Sequence, residues 1–139
     1  MVSEQFKDGF LLSIQDANGI LRLTLNDPAR HNVLSESMLE TLGVAFDQAG
    51  DSQDIRVIVL AAVGPVFCAG HDLKEMTNGR QNADRGRSYF TKILNQCSSV
   101  MQKIVTSSKP VIAEVDGVAT AAGCQLVASC DLALASDNA

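Results

Sequence analysis

The feature that most constrains the fold is an unbroken apolar run at residues 57–63, which ends at Gly64 and Pro65. Its length, its β-branched residues and the closing Gly-Pro pair predict a strand buried on both faces of a parallel sheet. In open α/β sheets ligands bind at the carboxyl ends of strands, where loops and helix N-termini present unpaired backbone N–H groups. The stretch that follows, residues 64–76, is therefore the candidate functional loop.

Two loops of small residues follow predicted strands. In the first loop, Ala69 and Gly70 let the backbone approach a ligand, and Asp72 is placed to cap a short helix through Glu75. The second loop follows a predicted strand at residues 111–115 and becomes helical near Ala121, with almost no side-chain bulk over its first N–H groups. Two such loops at one sheet edge can form an oxyanion hole, although small residues also serve simply to allow tight turns.

The rest of the chain predicts alternating strands and helices. Strands at residues 10–14 and 20–25 flank the hairpin signal Asn18-Gly19. A helix capped by Ser35 or Ser37 follows, and another runs from about residue 88 to Pro110. The apolar stripe of the first helix comprises Met38, Leu42, Ala45, Phe46 and Ala49, and that of the second comprises Phe90, Leu94, Cys97, Met101 and Ile104.

These elements predict an α/β fold with right-handed crossovers and a parallel sheet. Residues 77–86 lack periodicity, and we expect them to be irregular, mobile and able to cover the site. The last predicted strand, residues 131–135, lies close to the end of the chain, where nothing after it covers its neighbour. We therefore expect residues 1–139 to be one domain that is truncated before its C-terminal part.

Composition narrows the function. The chain has 139 residues, 46% of them hydrophobic, and a formal net charge of −5, which excludes broad binding to nucleic acid or to anionic membranes because both require a basic face. Residues 1–8 lack the features of a signal peptide, and Glu4 and Asp8 are untypical of a mitochondrial leader. We expect a cytoplasmic protein with no nucleic-acid or membrane partner.

The cysteines indicate structural thiols and no metal site. They form no C-x-x-C pair and sit among apolar or small neighbours, which predicts buried, reduced thiols at Cys68, Cys97, Cys124 and Cys130. The two histidines lie far apart, so no metal-ligand spacing is present. A thiolate nucleophile formed by Cys68 with His71 is disfavoured, because Phe67 and Ala69 predict that Cys68 is buried.

Two long motifs resemble the crotonase, or enoyl-CoA hydratase/isomerase, superfamily. They are residues 64–76, which read GPVFCAGHDLKEM, and residues 109–131, from KPVIA through AAGCQLVASCD. The resemblance implies a crotonase-like spiral of ββα units with parallel sheets, of which this chain is the N-terminal portion. It also implies binding of acyl-CoA thioesters of fatty acid metabolism, with coenzyme A as part of the substrate and no permanently bound cofactor.

The resemblance assigns roles residue by residue. The thioester carbonyl is held between the backbone N–H groups of His71 and Ala122, the second directly before Gly123. The implied coenzyme A channel is lined by Ala69, His71, Asp72, Leu73 and Lys74, with Arg30 near the adenosine or phosphate end, and Gly123 is the implied ligand-binding residue of the second loop. Lys74 and Arg30 suit a polyanionic ligand as cations. For Lys74 ligand binding is favoured over solvated surface charge, whereas for Arg30 the two explanations are equally favoured.

Gln125 departs from the hydratase pattern. In hydratases of this family a catalytic glutamate occupies this position, and another lies beyond residue 139. Glutamine has no titratable proton and cannot act as a general acid or base, although its amide can orient a water molecule. Three functions stay open: a hydratase-like lyase, an isomerase or thioester hydrolase, and a non-catalytic acyl-CoA-binding protein. For a complete chain the family implies a homotrimer or hexamer.

Overall fold

The computed structural model describes the backbone of residues 2–5 and all of residues 9–139. The strands are Val2–Gln5 (β1), Leu11–Gln15 (β2), Ile20–Leu25 (β3), Val57–Ala62 (β4), Val66–Cys68 (β5), Val111–Val115 (β6), Val118–Ala119 (β7) and Leu132–Ala135 (β8). The helices are Glu36–Asp51 (α1), Leu73–Gly79 (α2), Arg87–Val105 (α3) and Ala122–Ala128 (α4). No helix in these described ranges is long and apolar enough to cross a lipid bilayer.

The main sheet has the strand order β1-β2-β3-β4-β6-β8. The first three strands pair antiparallel, and β3, β4, β6 and β8 pair parallel. Parallel neighbours need a crossover connection, which α1, α3 and α4 supply along the chain. The predicted α/β class with parallel strands is confirmed.

The predicted hairpin joins β2 to β3. The carboxylate of Asp16 accepts hydrogen bonds from the N–H groups of Asn18 at 2.8 Å and Ile20 at 2.9 Å. Gly19 has a φ of +81°, and a Cβ there would lie 2.6 Å from the backbone oxygen of Asp54. Only glycine therefore fits this turn, because it combines a left-handed backbone with a close approach to the next loop.

The central strand β4 is less buried than its sequence predicts. Ile58 and Leu60 are fully buried, whereas Val57 and Val59, which point to the opposite face, are half-buried. The prediction of burial on both faces is therefore wrong. One face of the strand carries the core, and the other face is only partly covered.

The two long helices pack against each other, and their apolar faces were predicted unequally well. Ser35 caps α1, since its Oγ accepts a hydrogen bond from the N–H of Met38 at 3.1 Å, and every residue of the predicted α1 stripe is buried. On α3 the prediction is wrong at Leu94, which is 54% exposed, while Ile93 is buried. The α3 face that contacts the core consists of Ile93, Cys97, Val100, Met101 and Ile104.

A second, two-stranded sheet forms where the sequence indicated only loops. β5 and β7 pair in parallel, with Val66 opposite Val118 and Cys68 opposite Ala119. In addition, α2 occupies residues that were predicted in part to be irregular, because the stretch 77–86 begins inside that helix. The small sheet fixes both candidate loops in space, since both begin at its carboxyl edge.

A buried asparagine holds the segment before α1 in place. Asn32 is fully buried and has a φ of +51°, a left-handed conformation that asparagine tolerates better than most residues. Its Oδ1 accepts from the N–H of Asp27 at 2.7 Å, and its Nδ2 donates to the carbonyl oxygens of Val63 at 2.9 Å and Val66 at 2.8 Å. One side chain thus ties the loop to the β4–β5 connection.

We predict that Asn32→Ala destabilises the fold by about 3 kcal/mol, because one buried and two partly buried backbone groups lose their partner. Urea unfolding followed by circular dichroism measures the free energy of unfolding. Asn78→Ala, at an exposed position of α2, is the matched control and should change stability by no more than about 0.5 kcal/mol. A loss below about 1 kcal/mol for Asn32→Ala would contradict the prediction.

Candidate active site

The first candidate loop begins where β5 ends and is fastened to the loop before α1. The N–H of Ala69 donates to the carbonyl of His31 at 3.1 Å, and the carbonyl of Gly70 accepts from the N–H of Leu34 at 2.7 Å. Gly70 has a φ of +90°. Among the described residues, the N–H of His71 that follows has no acceptor. It is an oriented and unpaired backbone donor.

The second candidate loop begins where β7 ends and lies against the first. The N–H of Thr120 donates to the carbonyl of Cys68 at 3.1 Å, and a Cβ on Gly70 would lie 3.2 Å from the nitrogen of Ala122. Ala121 has a φ of +51°, which is uncommon for a residue other than glycine, and it directly precedes α4. In the described part of the chain the N–H of Ala122, the first residue of α4, has no acceptor either.

The two loops therefore bring two unpaired N–H groups, on His71 and Ala122, to the same edge of the small sheet. Gly123 allows this approach, because a Cβ on it would overlap the backbone oxygen of Cys68. Oriented backbone donors of this kind stabilise negative charge on an oxygen without any side-chain reorganisation. Chemically the arrangement is suited to a carbonyl that gains charge during a reaction.

Asp72 caps the helix that follows the first loop, as predicted. Its Oδ1 accepts hydrogen bonds from the N–H groups of Lys74 at 2.9 Å and Glu75 at 3.2 Å. Its Oδ2 accepts from Nη1 of Arg30 at 3.0 Å. Glu75 is also engaged, since its Oε2 accepts from the N–H of Glu36 at 2.9 Å. Both carboxylates near the loop thus have structural partners.

A cavity of about 350 Å³ opens beside the first loop. Six of the seven residues predicted to bind the substrate or coenzyme A lie on it: Arg30, Ala69, His71, Asp72, Leu73 and Lys74. The residues of the second loop, Ala122, Gly123 and Gln125, are not part of its lining. Lys74 is exposed and has no ion pair within the described ranges, whereas Arg30 is paired with Asp27 and Asp72.

The side chains of His71 and Cys68 are poor candidates for charged chemistry. Burial lowers the pKa of the half-buried His71 imidazole below its ordinary value, so this side chain is neutral at pH 7. Burial raises the pKa of the Cys68 thiol to about 11, which argues against a thiolate nucleophile. Cys97 is buried as well, but the prediction of buried thiols is wrong for Cys124, which is exposed on α4.

Gln125 lies on α4, three residues after Ala122, and its side chain is exposed. Its backbone N–H donates to the carbonyl of Ala121 at 3.2 Å. Sequence reasoning missed Asp27 and Asn32, which lie in the loop between β3 and α1. Buried polar side chains in such a loop reveal their roles only when their partners, distant in sequence, are known.

The family model described as Enoyl-CoA hydratase/isomerase matches residues 15–139. The chain belongs to the enoyl-CoA hydratase/isomerase family. It is 46% identical over 128 residues to the mitochondrial enoyl-CoA hydratase domain-containing protein 3 of Rattus norvegicus, covering 92% of this chain and 41% of that protein. The predicted resemblance to the crotonase superfamily is confirmed.

Solved structures of family members share the fold. The human enoyl-CoA hydratase domain-containing protein 3 aligns with a TM-score of 0.84 at 44% identity, covering 94% of this chain and 49% of that one. An enoyl-CoA hydratase from Mycobacterium smegmatis aligns with a TM-score of 0.83 at 50% identity, covering 91% and 47%. This chain therefore spans less than half the length of each of these three relatives.

The expectation of a cytoplasmic protein is wrong. Relatives of the same name from Rattus norvegicus, Mus musculus, Homo sapiens, Xenopus laevis and Danio rerio are all designated mitochondrial. The expectation rested on the composition of residues 1–8, read as an N-terminal address.

We predict that the His71 imidazole titrates below pH 6.5, its ordinary value, because burial disfavours the charged form. As the pH falls below 6.5, His71 takes up a proton in the unfolded chain at a higher pH than in the folded protein. The free energy of unfolding therefore decreases as the pH falls from 6.5 to the lower pKa of the folded protein. Heteronuclear NMR of the imidazole measures the midpoint, and His71→Gln identifies the signal. A midpoint at or above the ordinary value would contradict the prediction.

Proposed function

We propose that the chain binds acyl-CoA thioesters and polarises their carbonyl between the backbone N–H groups of His71 and Ala122. The observation that carries the proposal is the convergence of two unpaired backbone donors on one edge of the small sheet. Family membership supports acyl-CoA as the ligand. An oxyanion at this place is common to hydration, isomerisation and thioester hydrolysis, so the donors alone do not select among these reactions.

The coenzyme A part of the ligand lies in the cavity next to the first loop. The exposed ammonium of Lys74 suits a phosphate group there, because it has no competing carboxylate among the described residues. The backbone near Ala69 and the exposed Leu73 side chain contribute apolar surface. The ligand is a substrate, and the chain needs no permanently bound cofactor for carbonyl polarisation.

Gln125 limits the reaction that the chain performs by itself. Its amide holds no titratable proton, while the neighbouring carboxylates of Asp72 and Glu75 are engaged in helix capping. The chain is an enzyme of the lyase or isomerase type if another group transfers the proton. The second candidate is a non-catalytic acyl-CoA-binding protein. It is favoured by the presence of Gln125 where hydratases of the family have a catalytic glutamate. For a complete chain we propose a homotrimer or hexamer. We also propose a mitochondrial location, in line with the names of the relatives.

We predict that the protein binds crotonyl-CoA but adds no detectable water to it, and that Gln125→Glu makes hydration detectable, because one acid-base group usually contributes about a hundredfold. Mass spectrometry of the thioester follows the gain of one water. Gln125→Met is the matched control, because it fills similar space without a titratable proton. Hydration by the unsubstituted protein would show that no carboxylate is needed at this position.

We predict that Ala122→Pro weakens binding of an acyl-CoA thioester by about tenfold, because it removes one hydrogen-bond donor. Proline is tolerated at the first position of a helix, which Ala122 occupies in α4. Calorimetry compares this ligand with an S-alkyl coenzyme A, which lacks the carbonyl oxygen.

Ala122→Ser keeps the N–H and should bind both ligands like the unsubstituted protein. Equal weakening of both ligands by Ala122→Pro would contradict a role of this donor in carbonyl binding.

A further inference from the structure

Arg30 is held on several sides by other parts of the chain. Its Nε and Nη2 each lie 2.8 Å from Oδ2 of Asp27, and its Nη1 lies 3.0 Å from Oδ2 of Asp72. The guanidinium also lies over the ring of Phe10, 5.4 Å from its centroid. Such a rigid planar fork joins two carboxylates with fixed geometry, which a lysine cannot reproduce.

Asp72 connects Arg30 to the helix that follows, α2. While its Oδ2 is bound by Arg30, its Oδ1 caps α2 through the N–H groups of Lys74 and Glu75. The Asp72 side chain is only 8% exposed, so water does not replace a lost partner easily. Removing Arg30 therefore leaves a buried carboxylate with one unpaired oxygen beside the helix N-terminus.

The residues on either side of His71, Gly70 and Asp72, are both held by bonds to other parts of the chain. Gly70, before it, is bound through its carbonyl to the N–H of Leu34, and Asp72, after it, is bound to Arg30. The His71 N–H lies in the peptide plane that it shares with the Gly70 carbonyl. The chain leaves this plane through the His71 Cα and continues to Asp72, so the placement of Asp72 limits how far the plane can move. On the N-terminal side the restraint is a backbone hydrogen bond. On the C-terminal side Asp72 is bonded to the N–H groups of α2, and the ion pair with Arg30 ties it to the loop before α1.

The charge balance argues against Arg30 as a phosphate ligand. One guanidinium faces the two carboxylates of Asp27 and Asp72, so the group of three carries a net charge of −1. A phosphate that approaches this group meets two negative charges for one positive charge. Lys74 lines the same cavity without such a neighbour, which makes it the better partner for an anion.

We propose that Arg30 is a positioning residue that holds the His71 N–H in its orientation through Asp72, and that it is not a ligand of the coenzyme A phosphates. The inference deepens the proposed function, on which its ligand-based test rests. Arg30 aligns the first donor, while the phosphates are bound elsewhere on the cavity. The loss of Arg30 thus affects the carbonyl of the ligand and not its nucleotide.

Two ligands separate the two roles. Cinnamoyl-CoA and the cinnamoyl thioester of N-acetylcysteamine share the reacting carbonyl, but only the first has phosphates. Polarisation of the conjugated carbonyl shifts its ultraviolet absorption to longer wavelength, and titration of the same signal yields the dissociation constant. Arg30→Met, Arg30→Lys and the control Lys74→Met are compared with the unsubstituted protein.

We expect Arg30→Met to reduce the spectral shift of both bound thioesters by about half or more, because one of two donors is misaligned. Arg30→Lys should not restore it, since the fork is lost although the charge is kept. Lys74→Met should keep the spectral shift and weaken the binding of cinnamoyl-CoA, but not that of the N-acetylcysteamine thioester. The opposite result is that Arg30→Met weakens the binding of cinnamoyl-CoA alone, leaves the spectral shift unchanged, and is compensated by Arg30→Lys. Arg30 would then be a phosphate ligand, and the proposal would be wrong.

Amide hydrogen exchange tests the same restraint without any ligand. Arg30→Met should speed exchange at Lys74 and Glu75, whose N–H groups Asp72 caps, by about tenfold, while buried β4 amides such as that of Leu60 exchange as before. Lys74→Met should leave exchange at Glu75 unchanged. Unaltered exchange in both Arg30 variants would overturn the proposal.

The spectral shift and the amide hydrogen exchange test different parts of the argument. If the unsubstituted protein gives no spectral shift with either thioester, the proposed function is wrong, and hydrogen exchange alone then decides whether Arg30 restrains the loop. If Arg30→Met does not fold, Arg30→Lys carries both measurements, because it retains the charge that the buried Asp72 carboxylate requires.

Discussion

The parallel pairing of β5 with β7 requires two backbones to lie closer than side chains allow. Gly117 and Gly123 make this possible, because a Cβ on either residue would overlap a backbone oxygen of the β5 segment. Strands as short as Val66–Cys68 and Val118–Ala119 have little stability of their own, so their pairing depends on this approach and on the larger sheet beside them. The pairing in turn places the next residues of both loops at one edge, where the donors of the site lie.

Support for the donors comes from polar groups buried behind them. Asn32 joins the loop before α1 to the β4–β5 connection, and the carboxylate of Asp72 joins the same loop to α2. Hydrogen bonds in such surroundings are costly to break, because a group left unpaired is not rehydrated. The rigidity of the site therefore arises from satisfied polar contacts and not from apolar packing alone. A binding site made of backbone donors needs that rigidity, since its donors cannot adjust as side chains do.

The sequence predicts the parts of the fold that have a clear period. The hairpin around Gly19, the α1 stripe and the strand β6 follow from alternation, turn chemistry and helical spacing. It does not reveal β5 and β7, which are too short to show a period. It also assigns Leu94 to the buried face of α3, because Ile93 and Leu94 are both apolar neighbours and the spacing alone does not decide which of them faces the core. The loops of the site were located by their small residues, but the ion pair of Arg30 with Asp72 joins positions far apart in the chain, and no local pattern encodes it.

In the proposed function, carbonyl polarisation is separate from proton transfer. Polarisation would depend on backbone groups, which the β5–β7 pairing brings to one edge and which belong to the main chain rather than to the side chains of His71 and Ala122. Proton transfer depends on a side chain, and in the described part of the chain the groups nearest the donors are engaged or neutral: Asp72 and Glu75 cap helices, His71 is uncharged at pH 7, and Gln125 has no proton to exchange. One scaffold can therefore keep its affinity for a thioester while its reaction changes with a single residue on α4. In this proposal the amide at position 125 changes the chemistry without changing the donors, because Gln125 lies on α4 and not in the loops that position them.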